Sequence, residues 1–292
     1  MANIQKIKRR IKTAKNIAQT TKAMELVAAS RMKKAQNQAL DSRPYAEKLY
    51  QVTTGLLGRV KTTEGSKLED YLSDGSFTGK TIVILVTPDK GMAGALISNI
   101  GRELLKFIRD ENHKIGDYEF IVFGKKGRDL ILRLGGNIIA EFDMKITQPK
   151  FEIVPPVVRI FEEGFRGKKY NRVMMLYAHF INTLTQEPKV IQILPLKKIV
   201  NNQEQAKSGD YLFEPKPDDV LTSLLPHYFE TEVFHNILES YASEQSARMT
   251  AMKNATDNAN DIISELTLFY NKARQQVITS EISDIVTATL AV

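Results

Sequence analysis

Two segments of the chain repeat small or apolar residues at alternating spacings of three and four, and they lie at its opposite ends. In the first, Ile4, Ile7, Ile11, Ala14 and Ala18 lead, past interruptions at Thr21 and Glu25, to Ala28, Met32, Ala35 and Ala39. In the last, the series runs Leu238, Ala242, Gln245, Met249, Met252, Thr256, Ala259, Ile263, Leu266, Tyr270, Ala273, Val277. An apolar position every 3.5 residues is the seam of a coiled coil. Much of the first seam is alanine, which lets two helix backbones approach closely. The pattern predicts that the two ends return to each other as a long antiparallel coiled coil with a folded domain strung between them.

Both helices carry a proline. A proline lacks the N–H that a helix interior needs. The expectation at Pro44 is a kink or restart, with Asp41 or Ser42 as N-cap. The pattern resumes through Tyr45, Leu49, Val52 and Leu56, and Gly55 and Gly58 end it. The last helix begins near Asp218, with a kink or restart at Pro226, after which neither Pro nor Gly occurs. About 65 uninterrupted residues make a rod of roughly 95 Å. With the domain-proximal ends level near residues 56 and 222, Asn3 lies opposite about residue 275, and roughly the last 17 residues project unpaired. That tip contains Ile285, Val286, Leu290, Ala291 and Val292. A lone apolar helix end calls for a partner that encloses it.

Between the ends the period changes. Thr81 to Val86 is a buried-strand pattern, followed by a glycine-containing loop from Pro88 to Gly94 and a helix pattern over Ala95 to Arg109. Glu119 to Phe123, Asn137 to Phe142, Arg172 to Phe180 and Val190 to Leu194 read as further strands. Lys125 to Leu134 and the stretch after Pro155-Pro156 to Phe165 read as helices. Strands alternating with helices predict an α/β domain with a largely parallel sheet, Rossmann-like in outline. The organisation is then an N-terminal helix over 1–58, a linker over 59–79, the α/β domain over 80–199, a loop over 200–217 and a C-terminal helix over 218–292.

Charge separates the two ends. Residues 1–34 carry a formal +9 and residues 228–292 a formal −5, within a net charge of +7. The N-terminal excess is larger than the C-terminal helix can balance, so basic side chains are left to face an anionic surface. No apolar run is long enough to span a membrane. The basic N-terminus has no apolar segment of signal-peptide type behind it, so export is not expected. The absence of cysteine excludes disulfides, thiolate metal sites and cysteine nucleophiles.

Candidate chemistry is sparse. Gly75-Ser76-Phe77-Thr78-Gly79-Lys80-Thr81 looks like a phosphate loop but has three residues between its glycines where four are needed. It also precedes a strand, whereas a phosphate loop follows one and opens a helix. Gly91-Met92-Ala93-Gly94 is placed after a strand but lacks the dinucleotide-binding spacing and reads as a tight turn. Gly124-Lys125-Lys126-Gly127 is a basic turn that could touch an anion. His113, His179, His227 and His235 share no metal-ligand spacing and read as surface or packing residues. No catalytic constellation, cofactor site or metal site emerges. Nucleic acid is not expected, since no nucleic-acid fold is recognisable and residues 1–44 contain no aromatic.

Several stretches resemble the gamma subunit of F-type ATP synthases. At the N-terminus these are Ile7-Lys8-Arg9-Arg10-Ile11, Thr21-Lys22-Ala23-Met24-Glu25-Leu26-Val27-Ala28 and Arg43-Pro44-Tyr45. In the middle they are Phe180-Ile181-Asn182-Thr183, Leu194-Pro195-Leu196 and Asp210-Tyr211-Leu212-Phe213-Glu214-Pro215. The C-terminus is most specific, with Ala242-Ser243-Glu244-Gln245-Ser246-Ala247-Arg248-Met249, Ala251-Met252-Lys253-Asn254-Ala255-Thr256-Asp257-Asn258, Tyr270-Asn271-Lys272-Ala273-Arg274-Gln275 and Ile278-Thr279-Ser280-Glu281-Ile282. Thr287-Ala288 departs from the Gly-Ala usual in the family.

The resemblance implies a central rotor shaft, not itself catalytic, that couples proton flow to ATP synthesis on a ring of three alpha and three beta subunits. It implies contact with the epsilon subunit and the membrane c-ring at the base, and a peripheral position on the cytoplasmic face of a bacterial membrane. The residues it implies for ring contact and coupling are Lys22, Met24, Arg248, Arg274, Gln275, Thr279 and Glu281, with the apolar tip as a bearing and Tyr211 and Glu214 on the epsilon and c-ring side. Two other readings stand beside it. One is a coiled-coil scaffold or tether with an inserted domain, the other a nucleotide hydrolase using Gly79-Lys80-Thr81.

Overall fold

The apolar run that opens the central domain becomes the middle of a five-stranded sheet. A computed structural model describes residues 2–57, 71, 79–144, 149–196, 214 and 216–290. Its elements are α1 (Ala2–Leu57), β1 (Lys80–Val86), α2 (Leu96–Asp110), β2 (Tyr118–Phe123), α3 (Lys125–Leu134), β3 (Asn137–Phe142), α4 (Val154–Arg166), β4 (Tyr170–Phe180), β5 (Gln186–Leu194) and α5 (Pro217–Leu290). Short 3-10 turns precede β2 and α4. The strand order is β3-β2-β1-β4-β5. All neighbours are parallel except β4 and β5, which form an antiparallel hairpin.

Buried side chains alternate along the strands because successive residues point to opposite faces. Ile82, Ile84, Val86, Ile121, Phe123, Val173 and Met175 share a core with Val157, Phe161 and Phe165 of α4. Leu49 and Leu56 of α1 and Leu225, Phe229, Val233 and Ile237 of α5 complete that core. On the other face Val83, Leu85, Phe120, Val122, Met174 and Leu176 pack against α2 and α3 through Leu96, Ile100, Leu104 and Ile131. This gives the covered, mostly parallel sheet expected of the alternating pattern. At the start of the strands Glu119 is buried and accepts from Lys169 Nζ at 2.8 Å, the Tyr170 hydroxyl at 2.7 Å and Lys80 Nζ at 3.3 Å. Burial pushes its pKa up, but those three donors bring it below the ordinary glutamate value.

The chain divides into two compact units, each described by itself. One holds Met1–Ala29 and Arg248–Val292, the other Ser30–Ala247. The division falls inside both long helices. Of the kink or restart expected at each proline the restart does not occur, since α1 runs through Pro44 and Gly55 to Leu57, and α5 runs through Pro226. A buried proline-flanking face explains this. Leu221, Leu225, Tyr228 and Phe229 are all buried around Pro226, and the apolar area they hide offsets the roughly 3 kcal/mol that an interior proline costs. Around Pro44, Ala35 and Leu49 are buried on either side, and Ser42 donates to the Ala39 carbonyl instead of capping a new helix. Gly58, most of the 59–79 linker and most of the 200–217 loop lie outside the described residues.

Candidate functional site

In the first unit the predicted seam is the buried face. Ala14, Ala18 and Ala28 of α1 are buried, as are Met252, Thr256 and Ala259 of α5. Ile263, Leu266, Tyr270, Ala273 and Val277 are half-buried, while most of the residues between them are exposed. Thr21, which interrupts the apolar series, meets Thr256 of the α5 seam, with their hydroxyl oxygens 2.7 Å apart. This contact sets the register. Its residue numbers and the inner boundaries of the unit, Ala29 and Arg248, have the same sum, as an antiparallel pair requires. Residue 3 is then level with about residue 274, one position from the spacing read from sequence.

Beyond Val277 cover ends. The described side chains at 278–283, 285 and 286 are all exposed. Ile278, Ile282, Ile285 and Val286 are 46%, 57%, 66% and 52% accessible, an exposed apolar stretch of helix. The side chain of Leu290, together with Ala291 and Val292, lies outside the described residues, as does Tyr211. Glu214 is exposed.

The other sequence-derived candidates fall into two groups on this unit. Lys22, Met24 and Arg248 lie near its inner end. Lys22 is exposed and pairs with Glu25 at 3.0 Å, while Met24 and Arg248 are half-buried. Arg274, Gln275, Thr279 and Glu281 are exposed where α1 runs out. The Thr279 hydroxyl donates to the Gln275 carbonyl at 2.9 Å. About 26 residues of α5, roughly 39 Å of helix, separate the groups. Sequence reasoning passed over Leu26, Leu268 and Phe269, which are more than half exposed. Their signal is an apolar side chain beside the seam instead of on it. A depression of about 600 Å³ is lined by Lys8, Arg9, Lys12 and Lys15 with Gln5 and Ile11, so part of the N-terminal charge does face outward.

In the second unit, the strand order reverses between β1 and β4, the place where open α/β sheets bind ligands beyond the strand ends. The chain's own groups fill it. β4 continues past the end of β1, leaving Ala178 to Phe180 without a neighbour on that side. Instead the Ala178 N–H donates to the Ser240 hydroxyl at 3.4 Å, and the Ser243 hydroxyl donates to the Ala178 carbonyl at 2.9 Å. Ser246 donates to the Thr183 carbonyl at 2.9 Å.

The amide donors at the start of α3, where an anion would be held, are also taken. Lys125 N–H donates to Asp89 Oδ1 at 3.0 Å, and Gly127 N–H to Thr87 Oγ1 at 2.7 Å. Gly124 allows this closeness. Its φ is 88°, and a Cβ there would lie 2.0 Å from the Thr87 carbonyl oxygen. The basic turn therefore holds an internal carboxylate. Lys80 and Thr81 of the false phosphate loop open β1 and bond to Glu119 and Asn171; Gly75 to Thr78 lie outside the described residues. Among the described residues there is no metal-binding group of three or more ligand side chains and no helix long and apolar enough to cross a membrane.

Comparison with known proteins gives a consistent result. The ATP synthase family profile matches residues 3–292. The chain is 40% identical to the ATP synthase gamma chain of Chloroflexus aurantiacus over 292 residues, covering 100% of this chain and 99% of that one. It is 42% identical to that of Herpetosiphon aurantiacus over 296 residues, with the same coverage. Among solved structures, the Euglena gracilis mitochondrial ATP synthase assembly of OSCP, F1 and c-ring contains a chain that matches with a TM-score of 0.67 at 15% identity, covering 99% of this chain and 94% of that one. The central stalk and c-ring structure of the Tetrahymena thermophila mitochondrial enzyme contains one with a TM-score of 0.59 at 24% identity, covering 81% and 99%. At those identities the structures establish the shared fold, and the sequence relatives establish the family: this chain belongs to the ATP synthase gamma chain family.

Proposed function

We propose that this chain is the central rotor shaft of an F-type ATP synthase. Its α1–α5 pair stands inside a ring of three alpha and three beta subunits, and its base meets the epsilon subunit and the membrane c-ring. Proton flow turns the c-ring and the shaft together. The asymmetric shaft drives each beta site through the conformations in which ADP and phosphate become ATP. The chain is peripheral to the membrane, on its cytoplasmic face, and contributes no catalytic group. Supporting that last point, the ligand position of its sheet is occupied by Ser240, Ser243 and Asp89.

The observation that carries the reading is the uncovered apolar end of α5 in a chain of this family. Aliphatic side chains such as Ile282, Ile285 and Val286 can slide in a sleeve without directional bonds to break at each step. Lower on the shaft, Lys22, Met24, Arg248, Arg274, Gln275, Thr279 and Glu281 face the ring. Hydrogen bonds to their charged members, at about 1.5–3 kcal/mol each, favour particular angles. Leu26, Leu268 and Phe269 add apolar contact. Tyr211 and Glu214 serve the epsilon and c-ring side. A plain tether would need neither the exposed tip nor membership of this family.

The test is deletion of residues 276–292, followed by assembly with alpha and beta subunits and measurement of proton-coupled ATP synthesis. Yield or coupling should fall well below wild type. Unchanged yield and synthesis rate would refute the enclosed-tip reasoning, and robust ATP hydrolysis by the purified chain alone would refute the shaft.

A further inference from the structure

His179 and His235 lie far apart in sequence and converge on one carboxylate. His179, near the end of β4, places Nδ1 2.7 Å from Glu239 Oε2. His235, one turn before Glu239 on α5, places Nε2 3.5 Å from Glu239 Oε1. All three side chains are about two-thirds or more buried. The cluster adjoins the serine bonds to Ala178, so it closes the same seam between β4 and α5. His235 Nδ1 is buried and has no hydrogen-bond partner among the described residues. Opening the seam returns that nitrogen to water, which lowers the cost of opening.

We propose that His179, Glu239 and His235 form a proton-controlled clasp that holds β4 to α5 and loosens as pH rises through the histidine range. The groups facing it come from four elements. On α5, Glu232 lies one turn before Asn236, which donates to it, and acts on His235 together with Glu239. On β4, Tyr177 sets its ring edge-on to His179. On β5, Glu187 is the register partner of His179. On α1, Arg43 opposes the charge on His235 but is itself paired with Glu47 at 2.7 Å. Acids therefore outnumber bases around His235, and its protonated form is favoured.

The direction of the response follows. The bond to Glu239 raises the His235 pKa against the opposing effect of burial. For Glu239, burial pushes the pKa up, yet the two histidines bring it below the ordinary value, so the carboxylate stays ionised through neutral pH. Tyr177 is pushed up by burial and by Glu239 and Glu232, and stays neutral. A histidine whose pKa is raised on closing contributes its full hold below the open-state value, about 6.5, and loses it as pH rises through the closed-state value. Acidification of the surrounding compartment tightens the attachment of the β4–β5 hairpin to the long helix, and alkalinisation releases it. The clasp is a property of this chain alone and does not depend on the shaft reading.

Hydrogen exchange of the full-length chain at about pH 6, 7 and 8.5, corrected for the intrinsic pH dependence of exchange, measures it directly. Each pH unit by which His235 titrates higher in the closed than in the open state converts to about tenfold in protection. Peptides covering 177–180 and 236–243 should lose about threefold or more of their protection between the extremes, while β1 stays constant. The His179→Gln/His235→Gln double variant should be flat across the same range. In parallel, histidine ring NMR of the wild type needs no substitution to read the His235 titration, and Glu239→Gln should lower its midpoint. A pH-independent wild type, a double variant with the wild-type slope, or a His235 midpoint unmoved by Glu239→Gln would each overturn the proposal.

Discussion

Replacing Thr21 and Thr256 by valine, singly and together, weighs the one hydroxyl pair described in the helix seam. The oxygens are 2.7 Å apart, and each also lies near a carbonyl of its own helix. Thr21 can donate to Ile17 at 3.0 Å or Ala18 at 3.2 Å, and Thr256 to Met252 at 2.9 Å. Each hydroxyl has one proton, so at any moment one donates across the seam and the other donates into its own helix. A single Thr256→Val change leaves Thr21 able to fall back on its own carbonyl. The loss is then one net hydrogen bond, about 0.5–1.5 kcal/mol, and not the larger penalty of a buried orphan. The added methyl group offsets part of this, since a buried CH₂ contributes about 0.8 kcal/mol. Each single variant should therefore lose about 0.5–1 kcal/mol, which is a two- to fivefold drop in exchange protection. The double variant, with an apolar pair in place of the hydroxyls, should return to within about twofold of wild type. Hydrogen exchange over residues 14–28 and 252–263 is the assay. Wild-type protection in both singles, or a double variant worse than the two singles combined, would refute the register contact.

Two further substitutions probe the second unit. Gly124→Ala introduces a side chain at positive φ and 2.0 Å from the Thr87 carbonyl oxygen; backbone strain and overpacking together should cost about 2–6 kcal/mol, and a urea midpoint shift worth less than about 1 kcal/mol would contradict the geometry. Glu119→Gln keeps an acceptor for Tyr170 but removes a charge paired with lysines that are 50% and 56% exposed, so at neutral pH it should cost only about 1 kcal/mol. Because the Glu119 pKa is lowered on folding, its contribution is present above the unfolded value, about 4.3, and is lost as pH falls through the folded one. The difference in unfolding midpoint between wild type and Glu119→Gln should therefore be smaller at about pH 3.5 than at about pH 7.

The elements most legible in the sequence are those whose burial follows a single period. The α5 seam positions from Met252 to Val277 are the least exposed residues of their turns, as the spacing predicts. The limits of α3 and β3 agree with expectation, because a glycine turn and a change of period mark each. β5 was harder to read. Gln186 to Lys189 are polar and include Pro188, which argues against a strand, yet they pair with β4 because an edge strand needs hydrogen bonds on only one side. Of the candidate site, the exposure of Ile285 and Val286 and the point where α5 outlasts α1 were legible. The outward Leu26, Leu268 and Phe269 were not singled out, because their role depends on which face the partner helix leaves free.

By itself the sequence determined the two long helices, their antiparallel pairing, the unequal lengths and the α/β domain between them. These rest on local period, charge and length. Tertiary structure decided the rest, for a physical reason that recurs at each site. A proline costs a fixed local amount, but only packing on both sides of Pro44 and Pro226 shows that the helix can bear it. A linear pattern leaves a histidine readable as either a surface or a packing residue and names no partner for a serine. Only the overhang of β4 past β1 gives Ser240 and Ser243 a backbone to satisfy, and only the fold brings His179 to the carboxylate beside His235. Polar side chains can be buried only where a partner waits, and the partner is chosen by residues 60 or more positions away.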